Sequence, residues 1–195
     1  MAEVELPNPE ELEELKGKRF SKRVALVTAV FAVFLALAAL GGNHATKEML
    51  LAQQRASDQW AFYQAKSIRE HESRVHKQLL ELDLAKQGAA LTPDARQKMD
   101  TALAALTDEA QRYNSEKKEI EEKAKELEKE RDTYRAKDPY FEYAEALLQI
   151  SIVMASIAIM SGSVPIFVVS LTVAAVGALF TFDGYTMLFA LPLIG

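Results

Sequence analysis

Apolar residues are concentrated in three long runs of this 195-residue chain, and a stretch of mixed polarity separates the first run from the others. The first run covers 24–40, a length of 17 residues that includes no charge. Two further runs follow Tyr143 and are divided by the short uncharged segment SGSVP. Because a helix needs about 20 apolar residues to cross a bilayer core, the pattern predicts three transmembrane helices, at 24–42, 139–162 and 163–183.

The intervening stretch, 43–138, shows apolar positions at alternating steps of three and four, which indicates two long helices with heptad repeats. Thr92 and Pro93 are typical of a helix start. In the first helix the seam is assigned to Gln54, Ser57, Ala61, Ala65, Ile68, Glu72, Val75, Leu79 and Leu82. In the second helix the seam is assigned to Met99, Leu103, Leu106, Ala110, Tyr113, Lys117, Ile120, Ala124, Leu127, Arg131 and Tyr134. Pairing Ile68 with Tyr113 and Val75 with Leu106 predicts an antiparallel coiled-coil hairpin with its turn near 88–93.

The predicted fold is therefore an all-α membrane protein, with three transmembrane helices and a long antiparallel coiled-coil hairpin between the first and the second. Residues 1–23 form an acidic tail with a basic flank, and 184–195 form an apolar tail expected to lie in the membrane interface. Basic residues before an apolar run also describe a secretory signal. A cleavage site at Ala36-Leu37-Ala38 is thus an alternative to a membrane anchor.

Charge distribution supports a membrane location and bears on topology. All 23 Lys and Arg residues lie at or before Lys137. Five basic residues precede the first predicted span, which favours a cytoplasmic N-terminus and a periplasmic or extracytoplasmic hairpin. Four basic residues flank the second span on the hairpin side and oppose that assignment: Lys129, Arg131, Arg135 and Lys137. The expected location is the inner, or cytoplasmic, membrane of the cell.

A second stripe on the first hairpin helix is a candidate interaction surface: Met49, Ala52, Ala56, Trp60 and Tyr63. If the seam described above faces the second helix, this stripe faces elsewhere, and its small alanines beside large aromatic side chains suit another helix. Two interpretations stay open. The stripe contacts a second subunit or another protein, or else Trp60 and Tyr63 cover the second helix of their own hairpin.

The segment ASDQWAFYQAKS, Ala56–Ser67, carries a resemblance. Placed between a first apolar run and a Glu/Lys-rich helix followed by two more runs, it resembles the signature of an uncharacterised family of bacterial membrane proteins, DUF4337. The resemblance implies a small bacterial membrane protein and no activity. It marks the following residues as a signature without assigning them roles: Asp58, Gln59, Trp60, Tyr63, Gln64 and Lys66.

Little in the sequence indicates chemistry. Cysteine is absent, and the net charge of −5 argues against nucleic-acid binding. His71 and His76 lie on different faces of a helix, and no acidic residue completes a metal site with them. No phosphate-binding loop or hydrolase motif occurs. We therefore expect no catalytic residue, cofactor, metal or small-molecule substrate, and no enzyme activity.

Polar residues on one face of the second predicted span are the remaining candidates: Glu142, Glu145, Gln149 and Ser156. Intramembrane ionisable groups are costly and mark functional sites, yet these groups could also reach headgroup water or bond neighbouring helices. The sequence thus supports two hypotheses. The first is a non-enzymatic membrane-anchored scaffold that self-assembles or holds a partner protein. The alternative is a subunit of an oligomeric ion or proton channel or transport assembly.

Overall fold

The computed structural model describes residues 9–87 and 90–188, and within these ranges the chain is entirely helical apart from the short connections between helices. Helix α1 covers Pro9–Gln87, α2 covers Pro93–Ser161 and α3 covers Val164–Thr186. The all-α class is therefore confirmed. Two predicted boundaries, after 42 and after 138, are not helix ends, because α1 continues through Gly41-Gly42 and α2 continues through Pro139.

Local hydrogen bonds explain where α2 and α3 begin and end. Thr92 caps α2, since its Oγ1 accepts a bond from the Ala95 backbone N–H at 3.3 Å. Gly162 has a φ of +66°, a conformation that glycine adopts without strain, and it separates α2 from α3. Met187 adopts a left-handed conformation and its N–H bonds the Asp183 carbonyl at 2.7 Å, which closes α3. Of the predicted turn at 88–93, residues 88–89 lie outside the described residues, as do the first eight and last seven residues of the two predicted tails.

The chain forms two compact units, and α1 and α2 each contribute residues to both. Unit 1 combines residues up to Glu48 with those from Thr133 onward, and unit 2 is Met49–Asp132.

Unit 1 is built on small residues that line its interior. The buried positions of α1 recur every seven residues at Val24, Phe31, Ala38 and Ala45. The other two helices add Ala144, Leu148, Ser151, Ala155, Ala158, Ser170, Ala174, Gly177 and Thr181. A Cβ placed on Gly177 would stand 2.9 Å from Leu148 Cγ, so the glycine permits close approach of α2 and α3. Ser170 Oγ donates to the Ser151 carbonyl at 2.7 Å and links the same two helices.

Many large apolar side chains of unit 1 point outward, although Phe31, Phe141 and Leu148 are buried. Leu26 is 71% exposed, Leu40 66%, Met160 89% and Leu179 68%. A small-residue interior under an apolar exterior is the distribution that helices packed in lipid show. Three helices of the described chain are long and apolar enough to cross a membrane.

Unit 2 is an antiparallel pair made of 49–87 in α1 and 93–132 in α2. Contacts between the two segments run in opposite directions along the chain: Gln53 with Arg131, Trp60 with Glu128, Glu70 with Lys117, and Ser73 with Glu109. On α2 the predicted seam positions from Met99 to Arg131 are all buried or half-buried, as expected.

The predicted seam of the first hairpin helix is wrong. Ile68 is 60% exposed, and Ala61, Ala65 and Glu72 are exposed as well. The positions that face α2 are instead Ala52, Ala56, Trp60, Tyr63, Lys66, Glu70 and Ser73. Between Lys66 and Ser73 this face is polar. Ion pairs and hydrogen bonds to α2 stand there in place of the apolar contacts that a heptad repeat predicts.

Candidate interaction surfaces

The stripe predicted to meet a partner is covered by the chain's own second helix. Ala52 is 1% exposed and Ala56 2%. Trp60 Nε1 donates to Glu128 Oε1 at 2.9 Å, and the Lys117 ammonium lies 5.4 Å from the centre of the Tyr63 ring. The stripe, which begins at the half-buried Met49, therefore serves packing within unit 2. The expectation that this stripe binds another protein stays a prediction, while the contacts of Trp60 and Tyr63 with α2 agree with the second interpretation.

The signature residues within Ala56–Ser67 are divided between the inner face of α1, which contacts α2, and its outer face. Lys66 Nζ forms an ion pair with Glu116 Oε2 at 2.5 Å and lies 5.2 Å from the Tyr113 ring centre. Asp58 faces outward and accepts a hydrogen bond from Gln54 at 3.1 Å. The two glutamines differ, since Gln59 is half-buried and Gln64 is exposed. Trp60, Tyr63 and Lys66 thus join α1 to α2, while Asp58 and Gln64 do not.

A buried polar cluster continues this inner face and was missed by sequence reasoning. Glu70 has a side chain only 6% exposed, and its two oxygens contact Lys117 Nζ at 2.6 Å and the Arg74 guanidinium at 2.5 Å. One turn further, Ser73 donates to Glu109 at 3.2 Å, and the Tyr113 hydroxyl donates to the same carboxylate at 3.0 Å. The signal available was that Lys66, Glu70 and Ser73 extend the Trp60 stripe at steps of three and four.

Ion pairs at the edge of this cluster change the acidity of their members. The pKa of Glu116 is lowered below its ordinary value near 4.5, first because its carboxylate accepts a hydrogen bond from Lys66. The pKa of Glu121 is lowered by its hydrogen bond from Lys125, and the pKa of Lys125 is raised by the same bond. These groups are structural ion pairs on a helix surface and do not converge in a cleft.

The outer face of α1 in unit 2 carries an exposed apolar stripe, here called the outer stripe. Its large members are Ile68, Leu79 and Leu82, exposed by 60%, 55% and 49%, with Phe62 beside them at 59%. Its remaining members are Ala61, Ala65, Glu72 and Val75. A groove of about 490 Å³ runs along the outer stripe, lined by Ala65, Ile68, Arg69, Glu72, Ser73, His76, Glu109 and Tyr113.

The predicted intramembrane polar residues do not form an enclosed group. Glu142, Gln149 and Ser156 are exposed, and the Ser156 hydroxyl donates to the Ile152 carbonyl of its own helix at 2.9 Å. Glu145 is half-buried against α1, where a Cβ on Gly42 would stand 3.5 Å from its Oε1. The polar groups inside unit 1 are others: Ser151, Ser170, Thr181 and Asp183.

The three histidines lie apart from one another along α1. His71 is exposed and His76 borders the groove beside the outer stripe, whereas His44 belongs to unit 1, with its Nδ1 4.0 Å from Glu48 Oε1. Within the described ranges, no group of three or more His, Cys, Asp or Glu side chains is placed to hold a metal ion.

Within the described ranges, the chain has three helices long and apolar enough to cross a membrane, an interior with many small residues in unit 1, and an antiparallel helical pair whose outer face is apolar. The family model for a domain of unknown function, DUF4337, matches residues 20–187. The chain belongs to this family. Searches of curated proteins and of solved structures found no match.

Proposed function

We propose that the protein is a non-enzymatic, membrane-anchored scaffold of the bacterial inner membrane that self-assembles through helix packing. Unit 1 is the part inserted in the bilayer, and unit 2 is a coiled-coil hairpin. The hairpin binds a second copy of the chain through the outer stripe. The surface differs from the Trp60 stripe first considered, because that stripe is already covered within the chain.

The observation that carries this proposal is the exposure of Ile68, Leu79 and Leu82 on one face of a helix in the polar part of the chain. Water-exposed proteins rarely leave contiguous apolar faces open, and larger ones mark interaction sites. The stripe is also bordered by the groove of about 490 Å³, which is lined by Ile68 of α1 and Tyr113 of α2. Burial of an aliphatic side chain stabilises an assembly by about 1.5–3 kcal/mol at most.

A second copy is the occupant that this stripe suits best. Positions 65, 68, 72, 75, 79 and 82 alternate steps of three and four, which is the spacing of a coiled-coil seam. Two-fold interfaces are self-complementary, so each contact occurs twice. A two-fold axis at residue 70 would place Ala65 of one copy opposite Val75 of the other, and Ala61 of one copy opposite Leu79 of the other.

Membrane insertion of unit 1 is part of the proposal and is supported by the distribution of its large and small side chains. Many large apolar side chains are exposed on its helices, while much of the interior is made of alanine, serine and glycine together with Phe31, Phe141 and Leu148. In water this arrangement would be unfavourable, and in lipid it is the ordinary one. The absence of Lys and Arg after Lys137 agrees with it.

The proposal is tested by measuring the mass of the purified chain in mild detergent by light scattering. We expect the wild type to be a dimer or larger assembly, and Ile68→Ser/Leu79→Ser to be a monomer with unchanged helical content. Trp60→Ala is the matched control, since Trp60 faces the chain's own α2; it should lower the unfolding midpoint and keep the mass.

Two results would contradict self-assembly. One is a wild-type chain that stays monomeric at all concentrations, and the other is a serine double variant that keeps the wild-type mass. If the wild type is monomeric but captures another protein that the double variant loses, then the outer stripe binds a different partner and the second copy is the wrong occupant.

The alternative function, a subunit of an ion or proton path, has one observation in its favour. Gln149 is exposed on a helix whose neighbouring exposed residues are apolar, with Ile150 at 51% and Val153 at 58%. A polar amide at that depth would be stabilised by the same face of other subunits. Ion flux in proteoliposomes that is abolished by Glu145→Gln or Gln149→Leu would support this function. Absence of flux in the wild type would remove it.

A further inference from the structure

Unit 1 contains a cavity of about 350 Å³ at the ends of its apolar runs, to which all three helices contribute. Its residues are Gly41, His44 and Ala45 of α1, Tyr134, Lys137 and Phe141 of α2, and Gly184 and Tyr185 of α3. Its volume is within the range of small-molecule sites. Neither the scaffold proposal nor the channel alternative uses this cavity.

The floor of the cavity is apolar and depends on two glycines. Phe141 is 2% exposed, and its ring lies between Gly41 and Gly184. A Cβ on Gly184 would stand 2.9 Å from the ring, and one on Gly41 would clash with it. The Tyr185 ring packs edge-on against Phe141 with centroids 5.0 Å apart, while its hydroxyl donates to the Leu37 carbonyl at 2.9 Å.

The opposite side of the cavity carries cationic and hydrogen-bonding groups. Lys137 is half-buried, and its ammonium lies 5.5 Å from the Tyr134 ring centre. The His44 ring also packs edge-on with Tyr134, with centroids 6.1 Å apart. The nearby carboxylates have contacts of their own, since Glu48 lies 4.0 Å from His44 Nδ1 and Asp138 accepts a hydrogen bond from Thr46 at 2.9 Å.

We infer that this cavity binds the phosphate group of an anionic membrane lipid, with Lys137 as the principal cation and His44 and Tyr134 as donors. The inference rests on the membrane insertion of unit 1 proposed above. A lipid is favoured over a free phosphate because the floor formed by Phe141, Gly41 and Gly184 is apolar. Exposed apolar side chains also lie close in sequence to the cavity lining, with Leu40 at 66% and Phe182 at 58%. An acyl chain or glycerol backbone can lie on such a surface, whereas a free phosphate gains nothing from it.

The test is native mass spectrometry of the full chain in detergent, titrated with dioleoyl phosphatidylglycerol and with dioleoyl phosphatidylcholine. We expect one tightly bound phosphatidylglycerol per chain, and weaker binding of phosphatidylcholine. Lys137→Gln should weaken phosphatidylglycerol binding about tenfold, which is the loss of one charge-assisted contact. Arg135→Gln is the matched control, because it removes the same charge two residues away from an exposed position outside the cavity lining. It should weaken binding by less than about twofold.

Equal losses in the two variants would refute the site, since they would show general attraction between basic residues and anionic lipid. Equal binding of the two lipids would refute it as well. Titration with sn-glycerol 1-phosphate separates the sources of the phosphate: if this soluble ester binds as tightly as the lipid, the lipid assignment is wrong. Flotation of each variant with liposomes separates this proposal from the membrane insertion of unit 1. A variant that does not float with the liposomes has lost insertion, whereas a variant that floats but does not bind phosphatidylglycerol has lost the cavity site.

Discussion

The buried ion pair between Glu70 and Lys117 allows a quantitative test of the inner face of unit 2. The Glu70 side chain is 6% exposed and that of Lys117 is 17% exposed, with 2.6 Å between the carboxylate oxygen and the ammonium. Lys117→Met removes the charge and keeps an unbranched side chain of similar length. The carboxylate of Glu70 then remains buried, with the Arg74 guanidinium still in contact with its other oxygen.

Removal of one partner of a buried ion pair typically costs about 3–5 kcal/mol, because the other charge stays desolvated. Here the cost should be lower, since Arg74 contacts the second oxygen of Glu70 at 2.5 Å but is itself 61% exposed. We expect Lys117→Met to lower the free energy of unfolding of unit 2 by about 2–3 kcal/mol. The double variant Glu70→Leu/Lys117→Met replaces both charges by apolar groups, so it should be within about 1 kcal/mol of the wild type.

The assay uses the chain's single tryptophan. Trp60 lies in unit 2 on the face toward α2, so its fluorescence during urea unfolding in mild detergent reports the separation of the two hairpin helices. The single variants and the double variant form a thermodynamic cycle whose coupling energy should be about 2 kcal/mol. A coupling energy near zero, or single variants costing less than about 0.5 kcal/mol, would refute the buried cluster as the contact that joins the helices.

Three further outcomes are expected. Gly177→Val should destabilise unit 1 by about 1–3 kcal/mol through overpacking in thermal unfolding, whereas Gly17→Ala, where an added Cβ would meet no atom within 4 Å, should cause no loss. Because the Lys66 hydrogen bond lowers the pKa of folded Glu116 below its unfolded value, its stabilising contribution is complete above the unfolded pKa and is lost as the pH falls through the folded pKa. Stability should therefore fall less between about pH 5 and pH 3 in Glu116→Gln than in the wild type. Ala90 is exposed and the chain has no cysteine, so Ala90→Cys provides a single labelling site. If the hairpin lies outside the inner membrane, this variant should react with an impermeant maleimide in intact cells whose outer membrane is permeabilised. Labelling only after lysis would place the hairpin in the cytoplasm.

The long helices and the seam of α2 could be predicted from the sequence because they depend on local periodicity. From Met99 to Arg131 the apolar positions of α2 recur at heptad steps, and no competing stripe on that helix is equally apolar. The hydrophobic effect therefore favours burial of only one face of α2, and the structure buries or half-buries that face. Continuity of the helices was underestimated at Pro139, since a proline removes one backbone donor but does not by itself end a helix of 69 residues.

The inner face of α1 could not be predicted in the same way, because two stripes compete on that helix. The stripe through Ile68 and Leu79 is more apolar over 61–82, so a rule based on hydrophobicity assigns it to the interior. The structure buries the stripe through Trp60 and Glu70 instead. Its polar members become favourable only through specific partners on the other helix, among them Lys117 for Glu70, and such pairings depend on tertiary register that periodicity does not contain.

The same competition explains why the outer stripe is informative about function. A hairpin that only had to fold could bury Ile68, Leu79 and Leu82 against α2 and leave Lys66, Glu70 and Ser73 in water. This chain buries Glu70 and Ser73, at the cost of desolvating a carboxylate, half-buries Lys66, and leaves the apolar set exposed. Buried polar groups fix register more strictly than apolar contacts do in some helical pairs. An apolar outer face on a helical pair of fixed register is what a helix-packing interface requires, and for that reason we propose the outer stripe as the surface for self-assembly.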